Sequence, residues 1–200
     1  MDSFVLLAKP IWVNLLIFVP ISLFFYWRKR GLSITYRTLL LTGIFGIAFG
    51  FIESSVVIYL RASTGLLPGF EGNLVDIWRR AVEVSYNQQI LATEMPISLL
   101  TIEFFREIGT GFMIIAVAIL SAKKIREQVA LAFWIFAFWD IFYYVWFYVL
   151  VRWPQSLTTS DLLFLIPEPW FSQVWFPILV SSLMILVTII RRSPESKSSK

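Results

Sequence analysis

The sequence predicts an all-α, polytopic membrane bundle of five transmembrane helices, and three observations carry that reading. The 200-residue chain is 58% hydrophobic and 15% charged, with a mean hydropathy of +0.76. Ordinary soluble domains hold ~45–50% apolar and ~25% charged residues. Five apolar stretches approach the ~20 residues needed to cross a bilayer core. Lys and Arg fall unevenly in the connections between them, as the positive-inside rule requires. Aromatics reach 18%, a content that suits packing against lipid and anchoring at its interfaces.

The first span is expected from about Ile11 to Trp27, or from nearer Phe4 if Lys9 snorkels outward. This N-terminal stretch does not read as a cleavable signal peptide. It opens with Asp2, lacks a basic n-region and ends in Arg28-Lys29-Arg30 instead of a small-residue cleavage site. Asn14 within it is expected to bond to another helix. The second span is Thr38–Leu60, with Gly43, Gly46, Gly50, Glu53 and Ser54 forming a small-residue face suited to close helix approach.

A long connection follows, from Arg61 to Pro96. Asn73 can cap a helix beginning at Leu74, and Leu74, Ile77, Trp78 and Ala81 share one face opposite Arg79, Arg80 and Glu83. Residues 74–92 therefore read as an amphipathic helix on the membrane surface, with binding of a membrane-protein partner as the sharper alternative. Glu94 sits at the mouth of the next span, where a solvated turn is the simpler role and a gate the bolder one.

The third span is Ile97–Ser121 and the fourth Val129–Val151. Between the fourth and fifth, Thr159 or Ser160 can cap a short apolar turn, Asp161 to Ile166, which Pro167 and Pro169 end. Six residues cannot cross a bilayer, so this segment reads as re-entrant or interfacial, with its backbone covered by protein. The fifth span is about Phe171–Ile190. Residues 1–192 then form one transmembrane domain, and 193–200 a polar, disordered cytoplasmic tail. No internal repeat supports an inverted-repeat transporter.

Orientation follows from the basic residues. Arg28, Lys29, Arg30, Arg37, Lys123, Lys124, Arg126, Arg191, Arg192, Lys197 and Lys200 fall on one side, and Lys9, Arg61, Arg79, Arg80 and Arg152 on the other. Eleven against five puts the N-terminus outside and the C-terminus in the cytoplasm. The same distribution explains the net charge of +4 without a nucleic-acid partner; attraction to anionic lipid adds no specificity. Trp12, Trp27, Trp153, Trp170 and Trp175, near span ends, are expected to be interfacial anchors.

Cys and His are both absent. No cysteine-ligated or histidine-ligated cofactor is possible, and acid–base or metal chemistry falls to carboxylates, Tyr, Lys and Arg. The ionisable residues inside spans are therefore informative: Glu53, Glu103, Arg106, Glu107 and Asp140. Each costs roughly 2.5–3.5 kcal/mol at a helix centre, so solvation by lipid is excluded.

Glu103, Arg106, Glu107 and Thr110 form one stripe, as do Asp140, Tyr143, Tyr144 and Phe147. At 1.5 Å per residue, Glu53 and Glu103 lie roughly 9–11 Å from the outer ends of their helices, and Arg106, Glu107 and Asp140 roughly 13–17 Å. If the stripes converge, four carboxylates share one guanidinium. Arg106 neutralises one of them. The rest must bind protons, a metal or other cation, or open onto water. The alternative is that they only join helices. Asp161, Pro167, Pro169 and Trp170 are expected to fold back over this site as an apolar cap.

Three segments carry a resemblance: Gly50 to Arg61 (GFIESSVVIYLR), Glu103 to Glu107 (EFFRE), and Trp139 to Tyr144 (WDIFYY) running on to Leu165–Trp170 (LIPEPW). Together they resemble an uncharacterised family of small prokaryotic integral membrane proteins. The resemblance spans Gly50 to about Pro177 and implies a multi-pass protein of a prokaryotic cell membrane, without implying an activity. It draws attention to Glu53, Arg106, Glu107, Asp140, Tyr143, Tyr144 and Asp161, and marks Glu168 as a departure from the family's apolar residue there.

Overall fold

The computed structural model describes residues 4–29, 31–63 and 97–192. The surface helix expected over 74–92, Glu94 and the tail 193–200 lie outside the described residues. A 3-10 helix, Ile11–Ile17, runs directly into α1, Phe18–Tyr26. Helix α2 spans Tyr36–Ser63, α3 Ile97–Ser121, α4 Ile125–Val151 and α5 Trp175–Arg191. Two strands, β1 Ser160–Phe164 and β2 Trp170–Gln173, pair antiparallel between α4 and α5. The architecture is mostly helical with a small sheet, not all-α.

Among the described residues, three helices are long and apolar enough to cross a membrane: Tyr36–Leu60, Thr101–Ser121 and Ile125–Val151. They mark the chain as a membrane protein. Large apolar side chains lie exposed along them, among them Leu40, Ile44 and Ile52 on α2 and Phe105, Phe112 and Leu120 on α3. Such a surface is costly in water and costs nothing against hydrocarbon chains. The apolar helices Ile11–Tyr26 and Trp175–Arg191 are shorter.

Helix α4 is the hub, packed against α2, α5 and α3. Its contact with α2 is set by glycine. A Cβ at Gly46 would lie 2.8 Å from the Ile135 carbonyl, and one at Gly50 would lie 2.9 Å from the Trp139 carbonyl, so no larger residue lets the backbones come this close. Two indoles tie the pair across the gap: Trp134 Nε1 donates to the Leu39 carbonyl and Trp146 Nε1 to the Ile47 carbonyl, each at 3.0 Å. Helix α3 is peripheral. Among its described residues, those it buries form a narrow stripe, Glu103, Thr110, Ile114 and Ala118, one residue every turn or two.

The end of the bundle away from the sheet is closed by the chain leaving α1. The Leu32 amide donates to the Arg191 carbonyl, and the Arg191 and Arg192 guanidiniums donate to the carbonyls of Phe24 and Ile34. Buried Glu127 accepts from the Ser33 amide.

The sheet corrects the expected capped turn. Asp161 to Phe164 are strand, with register Asp161 to Ser172 and Leu162 to Phe171 and a bulge at Leu163. A lone helical turn would leave most of its amides and carbonyls without partners. Pairing with β2 satisfies those along one edge of the strand, and Lys9 adds a further rung on β2 by exchanging two 2.7 Å bonds with Phe171. Strand β2 occupies residues assigned to the fifth span, so α5 starts at Trp175.

Other local expectations are also overturned. Asn14 bonds within its own segment, to Ala8 and Ile11, because the extended chain ahead of the 3-10 helix needs its turn closed. Trp27 and Trp153 are buried in the core instead of anchoring at an interface. Thr159 does not cap a helix; its hydroxyl accepts from the Ser156 amide.

Candidate functional site

The half of the bundle nearer the sheet holds a cavity of about 140 Å³. Its wall takes residues from the 3-10 helix, α2, α3, α4, α5 and both strands, and most of it is apolar. Into it the helices bring Glu53 from α2, Glu103, Arg106 and Glu107 from α3, and Asp140, Tyr143 and Tyr144 from α4. Strand β1 adds Asp161 and β2 adds Trp170. Pro167 and Pro169 lie outside it, exposed in the turn between the strands. Five carboxylates and one guanidinium therefore share a single cavity.

Each acidic group has a partner, and two of them share one. Arg106 bridges two helices: its Nη1 pairs with Glu53, while its Nε and Nη2 meet Glu103 Oε2 at 2.8 and 2.6 Å. Glu103 sits one turn before Arg106 on α3, so that pair is intrahelical and pre-set, and the link to Glu53 is the tertiary one. The guanidinium holds two carboxylates, where the charge argument assigned it one.

Glu107, the next residue on α3, faces the sheet instead. Both of its oxygens accept from the Leu165 amide, at 3.0 and 2.9 Å. Strand β1 ends at Phe164, so this amide lies just past the ladder, where β2 supplies no acceptor. Asp140 Oδ2 accepts from the Ser181 hydroxyl of α5 at 2.7 Å. The Tyr144 hydroxyl donates to Asp161 Oδ2 at 2.9 Å, and Asp161 is only 1% exposed.

Sheet and bundle are further joined by aromatic contacts. Phe164 leaves β1 to stack on Phe136 and to pack against Trp139 and Trp170, with centroids 5.3–6.2 Å apart. Trp170 meets Trp12 edge-on at 4.8 Å, and Trp12 Nε1 donates to Glu168 at 2.8 Å. Glu168, the residue that departs from the resemblance, thus tethers the strand connection to the 3-10 helix. Phe164 and Trp170 line the cavity, while Ile166, Pro167 and Pro169 do not.

One contributor was invisible in the sequence. Ser181 lies in an apolar stretch with nothing to distinguish it from a helix-packing serine, and only the position of α5 gives it Asp140 as a partner. Thr110, expected on the α3 stripe, lines the cavity together with Glu103, Arg106 and Glu107. Among the described residues, no group of three acidic side chains is placed to hold a metal ion. The donor set is spread around the wall instead of converging on one point.

No protein-family model, curated protein or solved structure matches this chain.

Proposed function

We propose that this is a five-span protein of a prokaryotic cell membrane, N-terminus outside, whose cavity binds protons, a cation or a small polar substrate in the outer half of the bilayer. The observation that supports the site reading is the imbalance of charge around one cavity: five acidic side chains against Arg106. A buried carboxylate without a counter-charge is expensive, and a merely structural joint between helices does not need so many.

The spans follow from length. The 3-10 helix and α1 together rise about 27 Å, and α5 about 25 Å, slightly less than a ~30 Å hydrocarbon core. The extended segment and sheet at one end, and the chain from Trp27 to Ile34 at the other, make up the difference. Basic residues support the orientation. Among the described residues, Arg28, Lys29, Arg37, Lys123, Lys124, Arg126, Arg191 and Arg192 gather at the end opposite the sheet, and Lys9 and Arg152 at the sheet end.

The second reading is a non-catalytic membrane subunit or assembly factor in which the cluster only joins helices. The observation in its favour is that Arg106, Leu165 and Ser181 give Glu53, Glu107 and Asp140 partners on other elements. Glu107→Gln and Asp140→Asn decide between the two, because both keep shape while removing charge. Residues retained for function commonly cost stability. The site reading predicts that both variants keep or raise the thermal midpoint of the purified protein, and that a pH-responsive carboxyl stretch in its infrared spectrum disappears with them. A fall of several degrees in both, with no such band in the parent protein, establishes the structural role.

A further inference from the structure

The chemistry of the wall narrows what the cavity can take, and on the site reading above we propose a substrate class: a small lipophilic amine, bound as its ammonium ion, with about six to eight non-hydrogen atoms.

Size is the first argument. The cavity measures about 140 Å³, and an engineered apolar cavity of about 150 Å³ accepts benzene. Polarity is the second. The wall is mostly apolar, with Phe136, Trp139, Phe164, Trp170 and Phe176 among its residues, so the occupant has an apolar body and a single charged end. A strongly hydrated inorganic ion does not suit such a wall.

The sign of that charge is the third argument. Arg106 is engaged by Glu53 and Glu103. Glu107 and Asp140 form no ion pair with a described basic side chain; their partners are the neutral Leu165 amide and Ser181 hydroxyl. Neutral donors relieve a carboxylate only in part, and a cation entering between α3 and α4 completes the compensation.

The form of the cation is the fourth argument. Calcium takes six to eight oxygens and magnesium a near-ideal octahedron, whereas the acidic groups here are not placed for a metal. An ammonium has looser demands. It is satisfied by one or two carboxylates together with aromatic faces, the pairing that recognises organic cations.

The test uses the full-length protein in detergent micelles and three ligands of one shape: cyclohexylamine, cyclohexanol and cyclohexanecarboxylate. Titration calorimetry reads affinity, and thermal unfolding reads stabilisation by mass action. Cyclohexylamine is expected to bind saturably, at least tenfold more tightly than cyclohexanol, with no binding of the carboxylate. Glu107→Gln and Asp140→Asn each weaken the amine at least tenfold and leave cyclohexanol unchanged. Val57→Trp, which fills the cavity without altering a carboxylate, abolishes binding of both. Equal affinity for the amine and the alcohol overturns the proposal, and so does the absence of saturable amine binding. Failure here leaves the infrared and stability results on the same variants standing, so a cavity that takes only protons is distinguished from one that has no site.

Discussion

At Gly46 and Gly50 the absence of a side chain sets the distance between two helices. A methyl group at Gly46 would meet the Ile135 carbonyl and Phe138 Cβ, both at 2.8 Å, and neither backbone nor Cβ can move aside cheaply. Overpacking of this kind costs about 1–3 kcal/mol. Gly46→Ala and Gly50→Ala are therefore expected to lower the thermal midpoint by several degrees, at about 2–4 °C per kcal/mol for a chain of this size. Gly109→Ala is the control, since open space surrounds that position; its midpoint stays level or rises with the better helix former. A uniform loss at all three glycines would contradict a packing role specific to the α2–α4 contact. Tyr144→Phe acts through hydrogen bonding instead. It withdraws one donor from Asp161, a residue 1% exposed, and losing a hydrogen bond to a charged group costs about 1.5–3 kcal/mol. Thermal unfolding reads that loss, and the double variant with Asp161→Asn, compared with the two singles, isolates the pair's own coupling.

The two-stranded sheet shows how an element too short to stand alone is held. An isolated hairpin is at best marginal in water. Here Lys9 extends the pairing beyond β2, Glu107 takes the Leu165 amide, Tyr144 holds Asp161, and Phe164 packs among Phe136, Trp139 and Trp170. Strand, α3 and α4 are thereby tied across the cavity wall. The native chain has no cysteine, so single cysteines report on this placement without interference. Leu163→Cys and Phe164→Cys, both half-buried and lining the cavity, are expected to react with a water-soluble thiol reagent much more slowly than Leu157→Cys, whose parent residue is exposed. Labelling at the exposed rate at both positions would show that the strands do not cover the cavity. Glu107→Gln should speed labelling at Phe164→Cys, because a neutral amide is a weaker acceptor for the Leu165 amide than a carboxylate.

For the molecule as a whole, the orientation is the property most open to direct measurement. Basic side chains of the described residues crowd the end opposite the sheet, where Arg191 and Arg192 also close the bundle onto Phe24 and Ile34. Those residues cannot be moved to the other side of the membrane without carrying the whole bundle with them. Fusions at the C-terminus are expected to give an active cytoplasmic reporter and a silent periplasmic one. The reverse result would invert the bundle and place the cavity in the inner half of the bilayer. Removing the charge bias by Lys123→Gln, Lys124→Gln and Arg126→Gln together should produce a mixed population by the same assay, since each loop adds only part of the signal.

Hydropathy alone locates the apolar helices. Burial by lipid acts on each stretch separately and needs no knowledge of its neighbours, so Ile97–Ser121 can be read directly and the other ends shift by only a few residues. The stripe of Glu103, Arg106, Glu107 and Thr110 is equally local, because helical periodicity alone aligns it. Its partners are a different matter. That Arg106 joins Glu53, that Ser181 meets Asp140, and that Asp161 enters the cavity depends on which helices become neighbours, a property of long-range packing without local periodicity. The sheet is the clearest case. Ser160 and the apolar run after it favour a capped turn when taken alone, and the strand forms only because residues 170–173 return to satisfy one edge of its backbone, with Lys9 bonded to Phe171 in turn. Local sequence chooses among conformations that are nearly equal in energy. Where buried amides need acceptors, the tertiary partner decides.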